Sequence, residues 1–127
     1  MVLLALALNA VVATAERPSD DIRLYEGLGP YHRKVKSTVP LASRYLDQGF
    51  AFLYGFQYSV AEESFREAAR LDPDLVLAYW GIAAANANYI NKVHVSADES
   101  QEALAALSKA AELRDKGSDS ENGLIEA

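Results

Sequence analysis

Few residues in this chain are suited to acid–base or metal chemistry, and their spacing does not serve it. The two histidines, His32 and His94, stand far apart in segments that read as loops. Neither is matched with a histidine or carboxylate one turn away within a helix, so the fold would have to assemble a metal site from His32, His94 and an Asp or Glu. Glu62-Glu63 and Asp98-Glu99 are adjacent carboxylates on a helix surface and at a helix start. Side chains one residue apart on a helix do not face each other, so neither pair can divide the roles of acid and base. There is no G-x-S-x-G, no phosphate-binding glycine loop and no H-E-x-x-H. The absence of cysteine removes thiol nucleophiles, thiolate metal ligands and disulfides. These residue types predict a chain that is not an enzyme and carries no cofactor and no metal.

Recognition remains, and charge narrows it. A formal charge of -6 with a pI near 4.8 argues against nucleic acid or an anionic membrane as partner. His32-Arg33-Lys34-Val35-Lys36 is a short basic run against that background, suited to an acidic partner or simply a solvated loop. The first fifteen residues carry no charge and end in Ala13-Thr14-Ala15 before Glu16. Such a run reads as a secretory signal peptide over 1–15, cut after Ala15, although no Lys or Arg follows Met1. It is short of the ~20 residues a membrane span needs. Export to the periplasm or beyond is the expectation, with no stable membrane span.

The remaining residues suffice for one domain with a modest core, and an apolar share leaning on Ala and Leu favours helices. Pro18, Gly27, Gly29 and Pro30 make 16–40 an irregular lead-in, with Ser37 or Thr38 as cap for a helix entered at Pro40. Periodicity predicts a helix over 41–55, a turn at 55–58 and a second helix over 59–71. That second helix turns Ala61, Phe65 and Ala68 inward and Glu62, Glu63, Arg66, Glu67 and Arg70 outward. Asp72-Pro73 predicts a capped start for a third helix over 73–90. Asn86, Asn88 and Asn91 close it, and a loop follows over 91–97. Ser96 with Glu99 forms a capping box for a fourth helix reaching about Leu113, closed by Lys116-Gly117. Ser118 with Glu121 repeats the box, and the apolar stripe begun by Leu124 and Ile125 stops at Ala127, which suggests a truncated chain whose next hairpin starts at 118–127.

Tyr45, Gly49, Phe52, Ala61, Phe65, Ala68 and Pro73 stand at the spacing of a helical-hairpin repeat of about 34 residues. At these positions the chain resembles the tetratricopeptide repeat family. Tyr79, Ala103, Leu107 and Ala110 fit a second repeat if a loop of about eight extra residues separates its helices. Gln48 stands where the family has Leu, and the second repeat lacks its closing proline. Residues 28–90, with the Gly29-x-x-His32 lead-in, Arg44 to Gly49 and Ala78 to Ala83, are also similar to exported bacterial repeat proteins of unassigned function.

The resemblance implies an all-α, TPR-like α-solenoid of two hairpins, 41–71 and 73–114, whose first helices line a concave groove. Carried over by position, the groove would show Ser43, Leu46, Asp47, Phe50, Leu53 and Tyr54, then Leu77, Trp80, Ala84, Ala87 and Asn88. The family's carboxylate clamp uses Lys, Arg and Asn at such places; Leu46 and Phe50 here imply an apolar grip instead. The expected function is a non-catalytic scaffold that binds a protein or peptide segment, with Tyr54 and Trp80 as anchors. Two rivals remain. One is a structural role in which apolar faces stack on other repeats or a second copy. The other is a metal- or small-ligand-binding periplasmic module using His32 and His94. Large aromatics at helical spacing serve a core equally well, so Phe50, Tyr54 and Trp80 are the residues a structure must place.

Overall fold

Five α-helices and one 3-10 turn supply nearly all the regular structure of the residues described by the computed structural model, which are 22–87, 89–90 and 92–127. The expected signal peptide and the groove residue Asn88 lie outside them, as does Asn91. In chain order the helices are α1 (Pro40–Tyr54), α2 (Tyr58–Leu71), α3 (Val76–Asn86), α4 (Ala97–Glu112) and α5 (Asp119–Glu126), with the 3-10 turn at Arg114–Lys116. No strand occurs among the described residues; Tyr89 and Lys92 form one isolated bridge. The fold is all-α.

Each of α1 to α4 packs on the next in sequence, and α5 returns to α3 and α4. Short connections make that order the natural one. The core forms around Phe65 of α2, which is fully buried. A Cβ on Gly49 of α1 or on Gly81 of α3 would come within 2.5 Å of the Phe65 ring. Glycine at both places is what lets two helices close on one ring. Burying such a ring contributes roughly 1.5–3 kcal/mol. Ala42, Ala61, Ala68 and Ala78 are fully buried beside it, small enough for close helix approach. On α3, Val76, Leu77, Ala78, Gly81, Ile82, Ala83 and Ala85 are all buried, because this helix is covered from more than one side.

Several expected boundaries shift. Proline sits in the first turn of α1, but Val39 is its cap residue and no side chain caps it. Ser37 accepts from the Val39 N–H and donates to Asp72 (2.5 Å), so its hydroxyl serves the hairpin junction rather than the helix end. The third helix begins at Val76, later than the Asp72-Pro73 signal suggests. The Asp72 carboxylate accepts from the Asp74 N–H (3.1 Å) and its carbonyl from the Leu75 N–H (3.0 Å), and this side-chain turn delays the helix. It ends at Asn86, well before residue 90, where Ala87 turns extended and Asn86 donates to the Ile82 carbonyl. Glu67, expected outward, is buried, held by both carboxylate oxygens against Arg70 at 2.8 Å. Both capping boxes form, at Ser96 with Glu99 and at Ser118 with Glu121.

The lead-in is ordered against α1. The Tyr45 hydroxyl donates to the Ile22 carbonyl (2.8 Å). Gln48 is buried and accepts from the Tyr25 N–H (2.8 Å) while donating to the Arg23 carbonyl (2.9 Å) and the Ser64 hydroxyl (3.0 Å). A leucine at position 48 could hold none of these groups, which accounts for the polar residue there.

Candidate protein-binding face

The residues named as a groove divide by depth. Leu46, Phe50 and Leu77 are fully buried and Leu53 nearly so, and part of the cover over Phe50 comes from Tyr31 and Arg33 of the lead-in. They form a floor. Ser43, Asp47, Trp80 and Ala84 are half-buried, and Ala87 and Tyr54 are exposed, Tyr54 by 62 %. Of these six accessible residues, Tyr54 and Trp80 are the aromatic ones. Phe50 is the hub: Tyr54 stacks on it at 6.0 Å and Trp80 at 6.0 Å, with interplanar angles of 22° and 27°. Phe65 meets it edge-on from below at 5.3 Å. Helical spacing puts Phe50 and Tyr54 on one face of α1, and the packing of the helices brings in Trp80 from α3.

The lead-in crosses this face. Tyr31 meets the Phe50 ring edge-on at 6.2 Å, and the Arg33 guanidinium lies 5.4 Å from its centroid. Asp47 holds the crossing with both oxygens: one accepts from the Arg33 N–H (2.8 Å) and the other lies 2.7 Å from His32 Nδ1. A cavity of about 190 Å³ remains beneath it, walled by Gly27, Leu28, Tyr31, Arg44, Asp47 and Gln48. Tyr31 and Arg33 were not among the groove candidates. The available signal was the density of Leu24, Tyr25, Leu28 and Tyr31 in a segment that Gly and Pro mark as a loop, since a solvated linker has no use for them.

Beyond Trp80 the surface stays apolar. A cleft of about 370 Å³ lies between α3, α4 and α5, lined by Trp80, Ala84, Ala87, Leu107, Leu124 and Ile125 among others. Another missed residue stands at the α1–α2 turn. Phe56, 62 % exposed, is the one non-glycine residue at positive φ (61°) among the described residues, although Gly55 stands beside it. A phenylalanine there costs roughly 1–2 kcal/mol. Its ring lies 6.4 Å from that of Tyr58, which in turn stacks on Tyr89 at 3.5 Å.

Elsewhere the polar residues serve structure. Arg66 bridges Glu62 (2.6 Å) and Glu102, tying α2 to α4, and these carboxylates hold its guanidinium more basic than usual despite the opposing effect of burial. Lys92 and the Ser96 cap draw the Glu99 carboxyl down from 4.5 to about 2. His32 is engaged with Asp47, and His94 is exposed in the loop before α4. Among the described residues no group of three or more His, Asp or Glu is placed to hold a metal ion, and no helix is long and apolar enough to cross a membrane.

Fold and face together define an all-α chain of successively packed helices with an aromatic surface on its first and third helices. The chain matches no family model, no curated protein and no solved structure.

Proposed function

We propose that this chain is a non-catalytic, tetratricopeptide-like scaffold that binds an apolar segment of a protein or peptide across the α1–α3 face. The observation that carries the reading is Tyr54, a large ring 62 % exposed yet stacked on the buried Phe50. Beside it, Trp80 is fixed by the same hub. Rings held in place before binding lose little rotamer freedom when a ligand arrives, which favours recognition. Tyrosine and tryptophan are also the residue types that most often dominate binding energy. The repeat-like part of the reading rests on Phe65 between Gly49 and Gly81, the small–large–small packing a hairpin repeat needs. Export of the mature chain from residue 16 belongs to the same proposal and rests on the composition of 1–15.

The test is affinity capture with the parent chain and a Tyr54→Ala/Trp80→Ala variant side by side, both verified as folded by circular dichroism. A protein recovered by the parent and depleted at least tenfold on the variant supports the reading. Equal recovery by both removes it.

A second reading has its own observation. The apolar cleft bounded by Leu107, Leu124 and Ile125 suits a helix of another repeat or of a second copy, which would make the chain an assembly module. Sedimentation of the parent and a Leu124→Asp variant separates the two. Self-association abolished by the substitution favours assembly; monomers at every concentration remove pairing with a second copy.

A further inference from the structure

Resting on the proposed binding face, we infer that residues 30–36 are an intramolecular strap on it, and that the partner is an extended basic segment carrying an aromatic side chain two residues before an arginine. The strap supplies the template. Tyr31 places a ring edge on Phe50, and Arg33, two residues on, places its guanidinium over the same ring. Between them the backbone and the His32 imidazole occupy both oxygens of Asp47. An arginine over a ring and a carboxylate taking a backbone N–H form a recognition set for a peptide in extended conformation. The same set would accept any segment presenting those groups.

The strap is built to come off. Gly27 and Gly29 have φ of +80° and +88°, and nothing lies within 4 Å of where their side chains would be. The segment therefore leaves α1 through two open, glycine-only positions before Tyr31. A cavity of about 190 Å³ lies between α1 and the glycine-bearing run that leads to Tyr31, so the chain just ahead of the strap is not sealed against the helix. Tyr31 stays 44 % exposed even when seated. The ends of the lead-in are secured separately, by Tyr25 on Gln48 and by Ser37 on Asp72, so release of 30–36 leaves both anchors in place. Besides the contacts to Phe50 and Asp47, it parts Val35 from the edge of the core and Lys36 from the Gly117 carbonyl (3.4 Å).

Charge points the same way. The chain carries -6 overall, and Arg33, Lys34 and Lys36 lie in the strap itself, so the body it covers is more acidic than the whole. A basic segment is the complementary ligand, and it approaches faster and fits better than an acidic one.

The experiment uses the full chain and a labelled synthetic peptide of residues 28–37, LGPYHRKVKS, read by fluorescence anisotropy. A Tyr31→Ala/Arg33→Ala chain, folded by circular dichroism, is expected to bind the peptide at least tenfold more tightly than the parent, whose own strap competes. The same peptide with Ala at the positions of Tyr31 and Arg33 is expected not to bind either chain. Acrylamide quenching of Trp80, the single tryptophan, should rise about twofold in the variant without peptide and fall back when it is added. No binding to the folded variant, or equal binding by variant and parent, overturns the inference. Should the double variant not fold, Arg33→Ala alone carries the same comparison, with at least threefold expected. Failure here with capture through Tyr54 and Trp80 retained removes the strap and its ligand chemistry only; loss of that capture removes the binding face as well.

Discussion

At the scale of single residues, the chain is most revealing where a polar or strained group stands in an apolar pattern. Gln48 occupies a buried helix position and spends its whole amide on the lead-in and on Ser64. Gln48→Leu should destabilise the chain by ~1–3 kcal/mol, since it leaves buried partners unmade, and denaturant unfolding will measure it. A gain in stability would mean that the lead-in contributes nothing through this contact. This residue also marks the limit of legibility. The sequence identifies position 48 as a departure from a repeat pattern, but its partners lie 16 to 25 residues away and no local rule reaches them. Phe56 is similar. Gly55 advertises the turn, yet the left-handed position falls one residue later, because Gly55 still donates to the Ala51 carbonyl and closes the helix.

At the scale of helices, the inward face of α2 was readable from Ala61, Phe65 and Ala68 because close packing of helices demands small residues around a large one. Gly49 and Gly81 then follow as the surfaces that receive Phe65. Gly49→Ala and Gly81→Ala should each cost roughly 1–3 kcal/mol by overpacking, and Phe65→Ala roughly 3–5 kcal/mol by leaving a cavity. A neutral glycine substitution in thermal unfolding would contradict the packing. Capping boxes were equally readable, being local. The box at Ser96 has a pH consequence. The Glu99 carboxyl is held at about 2 against an ordinary 4.5, so its contribution is complete above 4.5 and is lost as pH falls toward 2. Glu99→Gln should therefore flatten the acid limb of the melting temperature between those values, with little change in that slope above pH 5. An unchanged acid limb would show that the box adds nothing to the folded state. The start of α3 was misread because Asp72 spends its carboxylate on a turn and on Ser37 before the helix begins.

At the scale of the whole molecule, the proposed binding face depends on elements distant in sequence meeting. Phe50 and Tyr54 share a helix and could be paired by spacing alone. Their stacking with Trp80, and the crossing of Tyr31 and Arg33 above them, depend on the packing of α1, α2 and α3 and on a lead-in that composition marks as irregular. The depth of Leu46, Phe50 and Leu77 was beyond the sequence for the same reason: a helical stripe gives direction, not cover. The exposed ring and the half-buried one should respond differently to truncation. Tyr54→Ala should leave the unfolding free energy within about 1 kcal/mol of the parent, while Trp80→Ala should lower it by ~2 kcal/mol or more. A large loss from Tyr54→Ala would mean that its ring supports the core. Hydrogen exchange of the chain alone and bound to a partner captured through Tyr54 and Trp80 tests the proposed face at once. New protection is expected in the peptides covering 40–54 and 76–87, with α2 and α4 unchanged. Protection confined to α2, α4 or α5 would contradict it.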